Sequence, residues 1–139
     1  MTRRGRSGAR RGLVALALAA CLLGVAAAQP SAPRLLVMDM PYAQVWGGAV
    51  HALGSYGVER AEDGLIETAR AERAPRPAEK GMERIAERVT VRVEPVGEKV
   101  TRVTVTIAAE ALKDGRWQAV DASPDTAQAV LARIRATLS

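Results

Sequence analysis

Apolar positions from Tyr42 onward follow first a helical and then a strand period. Tyr42, Val45, Trp46, Ala49, Leu53 and Tyr56 stand at offsets of three, four, seven, eleven and fourteen from the first, which places them on one side of a helix. Pro41 suits the first turn, where its missing N–H costs nothing, and Asp39 just upstream is a candidate cap. Gly54 and Gly57 supply the stop. Val58 to Ala61 alternates as a short strand, and Glu62-Asp63-Gly64 reads as a turn. Leu65 to Arg73 begins with β-formers and alternates small with charged residues, as one strand would. Upstream, Leu35-Leu36-Val37-Met38 is an apolar run of strand length, expected in the sheet just before the helix. Gly47-Gly48 falls in mid-helix, where each glycine costs roughly 1 kcal/mol against alanine. Two readings stand: a locally frayed helix, or a backbone lying tight on a sheet or second helix.

The second half carries the clearer strand signal. Ala74 to Gly81, with two prolines and several charges, reads as an exposed loop. Met82 to Arg88 fits either a helix or the start of a strand. Then Val89, Val91 and Val93 alternate with Thr90, Arg92 and Glu94, Pro95 to Lys99 forms a turn, and Val103, Val105 and Ile107 alternate with Arg102, Thr104 and Thr106. That is an antiparallel hairpin with one apolar and one polar face, the mark of a sheet covered on one side. Lys113 to Arg116 is another turn, and Trp117, Ala119 and Asp121 continue as a short last strand. Ser123-Pro124-Asp125-Thr126 opens a final helix with a serine cap, a proline at the first position and an acid in the first turn. Its stripe is Val130, Leu131, Ile134 and Leu138, with Arg133 and Arg135 near the end, where the helix dipole favours cations.

The fold class that follows is α+β: an antiparallel sheet packed against two helices, over residues 35–139 as a single domain. The pattern of Val45-Trp46, Ala52-Leu53, Tyr56-Gly57-Val58 and Asp63 to Thr68, followed by the hairpin and terminal helix, resembles the C-terminal domains of the NlpB/DapX family. That family includes a lipoprotein component of the outer-membrane β-barrel assembly machinery. The resemblance spans roughly residues 35–138 and implies a helix-grip fold, an antiparallel sheet gripping a helix. Its motifs are hydrophobic and turn positions, which specify packing.

The N-terminal segment changes the reading of the charge. Residues 1–12 hold five arginines and no acid, and residues 13–28 are an unbroken apolar run of 16. A basic segment, an apolar segment and a small-residue exit make an export signal over 1–28, with 29–34 as a short leader. Sixteen residues fall short of the roughly 20 that span a bilayer, so a cleaved signal is expected. Ala26-Ala27-Ala28 before Gln29 is a good cleavage site, between Ala28 and Gln29. Leu18-Ala19-Ala20-Cys21 also resembles a bacterial lipobox, in which Cys21 would be lipidated as the mature N-terminus. Arg10 to Val14 loosely resembles a twin-arginine signal, against the alternative of ordinary n-region charge. The net charge of +5 and pI near 10.1 rest on those five arginines; the other residues balance at 15 basic and 15 acidic. An inference of nucleic-acid binding from the basic pI therefore fails. With two tyrosines, two tryptophans and no phenylalanine, a stacking platform for bases is not expected either. Cys21 is the only cysteine, so no intrachain disulfide is possible.

Few residues offer chemistry. His51, the only histidine, falls on the polar side of the first helix and has no Cys/His cluster near it in sequence. Asp63 and Glu67 are two carboxylates near a turn, readable as an acid–base pair or as solvated positions. Ser55 and Ser123 have no histidine partner in sequence, and Ser123 is explained as a cap. The glycines form no phosphate-binding pattern. No catalytic, cofactor or metal site is expected. The expectation is a non-enzymatic module of the bacterial envelope, periplasmic or secreted, or membrane-anchored through Cys21, that binds another envelope protein. The polar hairpin face of Arg92, Glu94, Arg102, Thr104 and Thr106 is the candidate surface. The alternative is a carrier of small apolar ligands, with a cavity between helix and sheet.

Overall fold

A computed structural model describes residues 32–139. The expected signal 1–28, with Cys21 and the Ala28–Gln29 junction, lies outside the described residues. The chain forms β1 (Arg34–Met38), α1 (Tyr42–Ala52), a 3-10 turn (Gly54–Tyr56), β2 (Val58–Glu62), β3 (Leu65–Thr68), β4 (Ala71–Arg73), β5 (Arg84–Gly97), β6 (Val100–Lys113), β7 (Arg116–Val120) and α2 (Pro124–Thr137). One antiparallel sheet holds all seven strands in the order β1-β6-β5-β3-β2, with β4 also beside β5 and β7 also beside β6. The protein is α+β, and the sheet grips the two helices on one face.

The β5–β6 hairpin sets the frame. Val89 lies opposite Ile107, Val91 opposite Val105 and Val93 opposite Val103, so six β-branched side chains share one face. Val45, Ala49 and Leu53 of the α1 segment and Ala127, Val130 and Ile134 of α2 pack with them in a single core. Each large side chain buried here contributes roughly 1.5–3 kcal/mol. Leu36 and Met38 of β1 and Ile66 of β3 extend that core sideways. Tyr42 and Trp46 stack at its rim, with ring centroids 6.2 Å apart.

Local chemistry explains most boundaries. Asp63 and Gly64 both take positive φ (51° and 76°), as do Asp114 and Gly115 (53° and 73°). These are the left-handed pairs that two-residue hairpin turns of the primed type require. Ser123 caps α2 by accepting a hydrogen bond from the Asp125 amide, with Pro124 at the first helical position. Gly48 packs close to α2, and a Cβ there would overlap the Leu138 side chain, whereas Gly47 faces open space. The close-packing reading therefore holds for Gly48 alone.

Four expectations need correction. Leu65–Arg73 is two strands, because the chain leaves the ladder at Ala69 and Arg70 before β4 forms. Asp39 does not cap α1: Pro41 is itself the capping residue, in extended conformation, with no side-chain cap bond. Pro95 still pairs, opposite Thr101, and the ladder reaches Gly97 through an irregularity, so the expected turn is shorter. The loop after β4 is not simply exposed: Pro75, Arg76 and Glu79 are half-buried, folded back over the end of the sheet.

Gly64 is the glycine whose replacement should matter most. Its carbonyl accepts the Val93 amide at 2.7 Å, and a Cβ would stand 2.6 Å from the Val93 carbonyl oxygen. Gly115 has the same φ sign and open space around it. Gly64→Ala is expected to cost about 3 kcal/mol and Gly115→Ala about 1 kcal/mol in denaturant unfolding. Equal losses would remove the close backbone approach as the cause.

Candidate functional site

The structure brings the five expected surface residues together on the sheet face away from the helices. Arg92 pairs across the hairpin with Thr104, Glu94 with Arg102, and Thr106 with Thr90. The Arg102 guanidinium binds a Glu94 oxygen at 2.9 and 3.2 Å, a pair that stands in solvent and contributes little stability. The pattern of alternation did not reveal what lies beside this face. On β1, Leu35 pairs with Thr104 and Val37 with Arg102, and their side chains are 61% and 58% exposed. β1 ends the sheet, and among the described residues its outer edge carries no further strand. The opposite edge, β2, bears exposed Glu59, Arg60 and Glu62 instead.

Further along the same face, the Arg70 side chain reaches across β5. It binds Glu110 on β6 at 3.2 Å and Glu72 at 3.4 Å, and it lies 4.3 Å from the centroid of the half-exposed Trp117 ring on β7. A shallow cleft of about 180 Å³ forms between Arg70, Arg88 and Glu110.

A second cluster sits on the helix side, where the loop after β4 meets the start of α2. Glu87 occupies a core-facing position of β5, in phase with Ile85 and Val89, and its side chain is only 9% exposed. Arg73 donates to one Glu87 oxygen at 2.5 Å, and the Thr126 hydroxyl donates to the other at 2.8 Å. Arg73 also holds Glu79 through two bonds, at 2.7 and 3.0 Å. Arg76 completes the group by donating to Thr126 Oγ1 at 3.2 Å, while its Nη1 is buried without a protein partner. Glu79 is held below its usual value of 4.5, first by the Arg73 hydrogen bonds, with burial opposing them. The Arg73 guanidinium is held above its ordinary value, first by its bonds to Glu79. A cleft of about 190 Å³ opens beside this cluster, with Tyr56, Thr68 and Ala69 on its other wall. A wider open groove of about 430 Å³ runs between Ala32–Arg34 and the start of α2.

The other candidates remain apart. His51 is exposed near the end of α1, whereas Asp63 sits in the turn beside Gly64, which approaches Tyr42 at the start of α1. Nine residues of helix, about 13 Å, separate His51 from Tyr42. Glu67 pairs with Thr90 and shares the outward side of β3 with Leu65. Ser55 is exposed in the 3-10 turn, and Ser123 is the α2 cap. Among the described residues, no three of His, Cys, Asp and Glu are grouped to hold a metal ion, and no helix is long and apolar enough to cross a membrane. Where a carrier would need space, Val45, Leu53, Val130 and Ile134 meet the valine face with no exposure to solvent.

No protein-family model matches the chain, and no curated protein matches it. Solved structures share its shape distantly. A conserved protein from Geobacillus kaustophilus aligns at 8% identity over 76% of this chain and 90% of its own, with a TM-score of 0.39. The di-domain ARO/CYC protein BexL of the BE-7585A biosynthetic pathway aligns at 16% identity over 79% of this chain and 44% of its own, with a TM-score of 0.38. A protein from Thermus thermophilus aligns at 14% identity over 79% of this chain and 91% of its own, with a TM-score of 0.32.

The buried cluster makes two predictions. Arg73→Leu strands Glu87 and is expected to cost about 3 kcal/mol, part of which Arg73→Leu/Glu87→Leu recovers. A double variant that loses the sum of both single changes would show the pair to be uncoupled. A depressed folded value means that Glu79 stabilises fully above its unfolded value of 4.5 and loses that contribution as the pH falls through the folded value. Glu79→Gln should therefore be less stable than the native chain at pH 7, and the gap should narrow as the pH falls below about 4.5. Urea unfolding over that range measures it; a constant gap would contradict it.

Proposed function

We propose that this chain is a non-enzymatic, exported module of the bacterial envelope that binds another protein along β1 and the adjoining sheet face. One observation carries the reading: among the described residues β1 is an open edge strand, and its Leu35 and Val37 stand 61% and 58% exposed beside Arg102 and Thr104. Open edges present unpaired backbone groups that invite a further strand, and proteins usually blunt them with charge. β2 is blunted in this way, and β1 is not. An extended segment added to β1 would satisfy the backbone groups and set its own outer-face side chains beside Leu35 and Val37, with polar residues of the hairpin face on their other side. The export signal of residues 1–28 and the resemblance to NlpB/DapX domains support the envelope as the place of action. An accessory role in assembling envelope proteins fits both. The alternative, a carrier of small apolar ligands, would use the open cleft of about 190 Å³ beside Tyr56, Thr68 and Ala69.

A photo-cross-linking residue placed at Val37, and separately at Glu62 on the opposite edge, tests this in the host. An adduct is expected from position 37 in the envelope fraction, with several-fold less from position 62. Adding Leu35→Lys to the position 37 probe should remove most of the adduct. Equal labelling from the two edges would overturn the reading.

A further inference from the structure

We infer that residues 74–83, between β4 and β5, form an acid-released strap: protonation of Glu79 frees the strap from α2 and the sheet end and uncovers Glu87, while the rest of the fold stays closed. The way the strap is held carries this. Among the described residues, two side chains make every hydrogen bond from Pro75–Met82 to another element. Glu79 takes both terminal nitrogens of Arg73 on β4, at 2.7 and 3.0 Å, a bidentate charged pair. The Arg76 side chain reaches Thr126 on α2 at 3.2 Å. The strap's other bonds are internal: the Arg76 amide donates to the Glu79 carboxylate at 2.9 Å, and the Glu79 amide donates to the Arg76 carbonyl at 2.8 Å. Glu79 thus closes the turn within the strap and clamps it to the sheet. Backbone attachment resumes only at the far end, where the Glu83 amide donates to the Leu112 carbonyl.

The charges of this site balance only while Glu79 is ionised. Two cations, Arg73 and Arg76, stand with two carboxylates, Glu79 and Glu87. The charged groups that face Glu79 are Arg73 from β4 and Arg76 from the strap itself. Glu87 of β5 binds Arg73 from the other side, and α2 presents the uncharged Thr126. Asp125, Lys80 and Glu83 are exposed. Among the described residues Arg76 makes no ion pair, and its Nη1 is buried without a protein partner. A neutral Glu79 leaves both guanidinium groups to the single carboxylate of Glu87. An unpaired buried cation is costly, and Arg76 escapes that cost by carrying the strap into water. Glu87 keeps Arg73 and Thr126, so the release does not strand it.

The release is local because the strap lies outside the helix core. No residue from 69 to 88 belongs to the apolar core that the hairpin shares with α1 and α2. Within the strap, Pro75 and Met82 are the half-buried apolar residues. Segments with so little apolar burial open well below the free energy of global unfolding. Glu87 and Thr126, both buried, also line the cleft of about 190 Å³ beside Tyr56. Acid therefore lengthens that cleft toward a carboxylate and a hydroxyl that are covered at neutral pH.

Two spin labels measure the strap. In a Cys21→Ser background, nitroxides at Lys80→Cys on the strap and Gln128→Cys on α2, both exposed positions, give their separation by double electron–electron resonance. Far-ultraviolet circular dichroism is followed in parallel. One narrow distance is expected at neutral pH, where Glu79 is charged. Because the folded value of Glu79 lies below 4.5, the strap is held above that pH and released as the pH falls through the folded value. A longer, broad population should then grow at least about fivefold with the circular dichroism unchanged. Glu79→Gln should show the broad population at neutral pH and no further change in acid. Glu87→Gln leaves Glu79 ionisable and should keep the acid response. A narrow distance in Glu79→Gln, or a native strap that opens only as the circular dichroism is lost, would overturn the inference. A folded Glu87→Gln chain that no longer responds to acid would overturn Glu79 as the switch.

Discussion

Everything in this fold hangs on the register of one hairpin. β5 and β6 pair along 14 residues each, and five of the other elements attach to them: β1 and β7 to β6, β3 and β4 to β5, and α2 to their valine face. The side-chain period of a strand is two, so a slip of one residue would turn Val89, Val91 and Val93 to the outside and Arg92 to the core. The burial of six β-branched side chains against two helices makes that slip prohibitive, since each contributes roughly 1.5–3 kcal/mol. The same register assembles the outer face without any choice of its own. Once the valines point inward, Arg92, Glu94, Arg102, Thr104 and Thr106 must point outward together.

One residue violates that pattern, and the surrounding structure compensates for it. Glu87 has the core-facing parity of Ile85 and Val89. A buried carboxylate costs several kcal/mol unless it is paired and fully hydrogen-bonded. Arg73 and Thr126 together occupy both of its oxygens, and Glu79 and Arg76 hold those partners in place. The carboxylate also lies at the first turn of α2, where the helix dipole favours negative charge. This is why the proline-bearing loop between β4 and β5 folds inward: its Glu79 holds Arg73, the cation that β4 presents to Glu87, and its Arg76 holds Thr126. The cluster ties α2, the loop and the sheet end together, and its dependence on Glu79 makes that tie sensitive to acid.

The sequence showed what is local and hid what is distant. Alternation placed the hairpin and its polar face, Asp-Gly pairs marked two tight turns, and Ser123-Pro124 marked the start of α2, because each depends on the preferences of two or three neighbouring residues. The strand start at Arg84–Arg88 was ambiguous because Ile85, Ala86 and Glu87 are buried in succession, so no alternation survives there. Ala86 is covered on the outer side, where the Arg70 side chain crosses to Glu110. The Glu87 cluster joins residues 39 and 50 positions apart, beyond any local pattern. One sign of it was present: a glutamate in phase with valines. Leu35 and Val37 were hidden for another reason. An apolar run has no polar phase, so it does not disclose that one of its faces meets water.

That exposure depends on topology. β6 offers one long edge, shared end to end by β1 and β7, and both are five residues long. β7 carries Arg116, Trp117 and Gln118 on exposed positions, with the Arg70 guanidinium over the Trp117 ring. β2 closes the other side of the sheet with three charged residues. Among the described residues, only β1 combines exposed aliphatic side chains with a strand free of charge along its centre. Exposed aliphatic surface forgoes about 25 cal/mol for every Å² that could be covered, and a bare strand edge adds the risk of indiscriminate pairing. Of the four strands with an unpaired edge among the described residues, β2, β4 and β7 carry charged residues and β1 carries the exposed Leu35 and Val37.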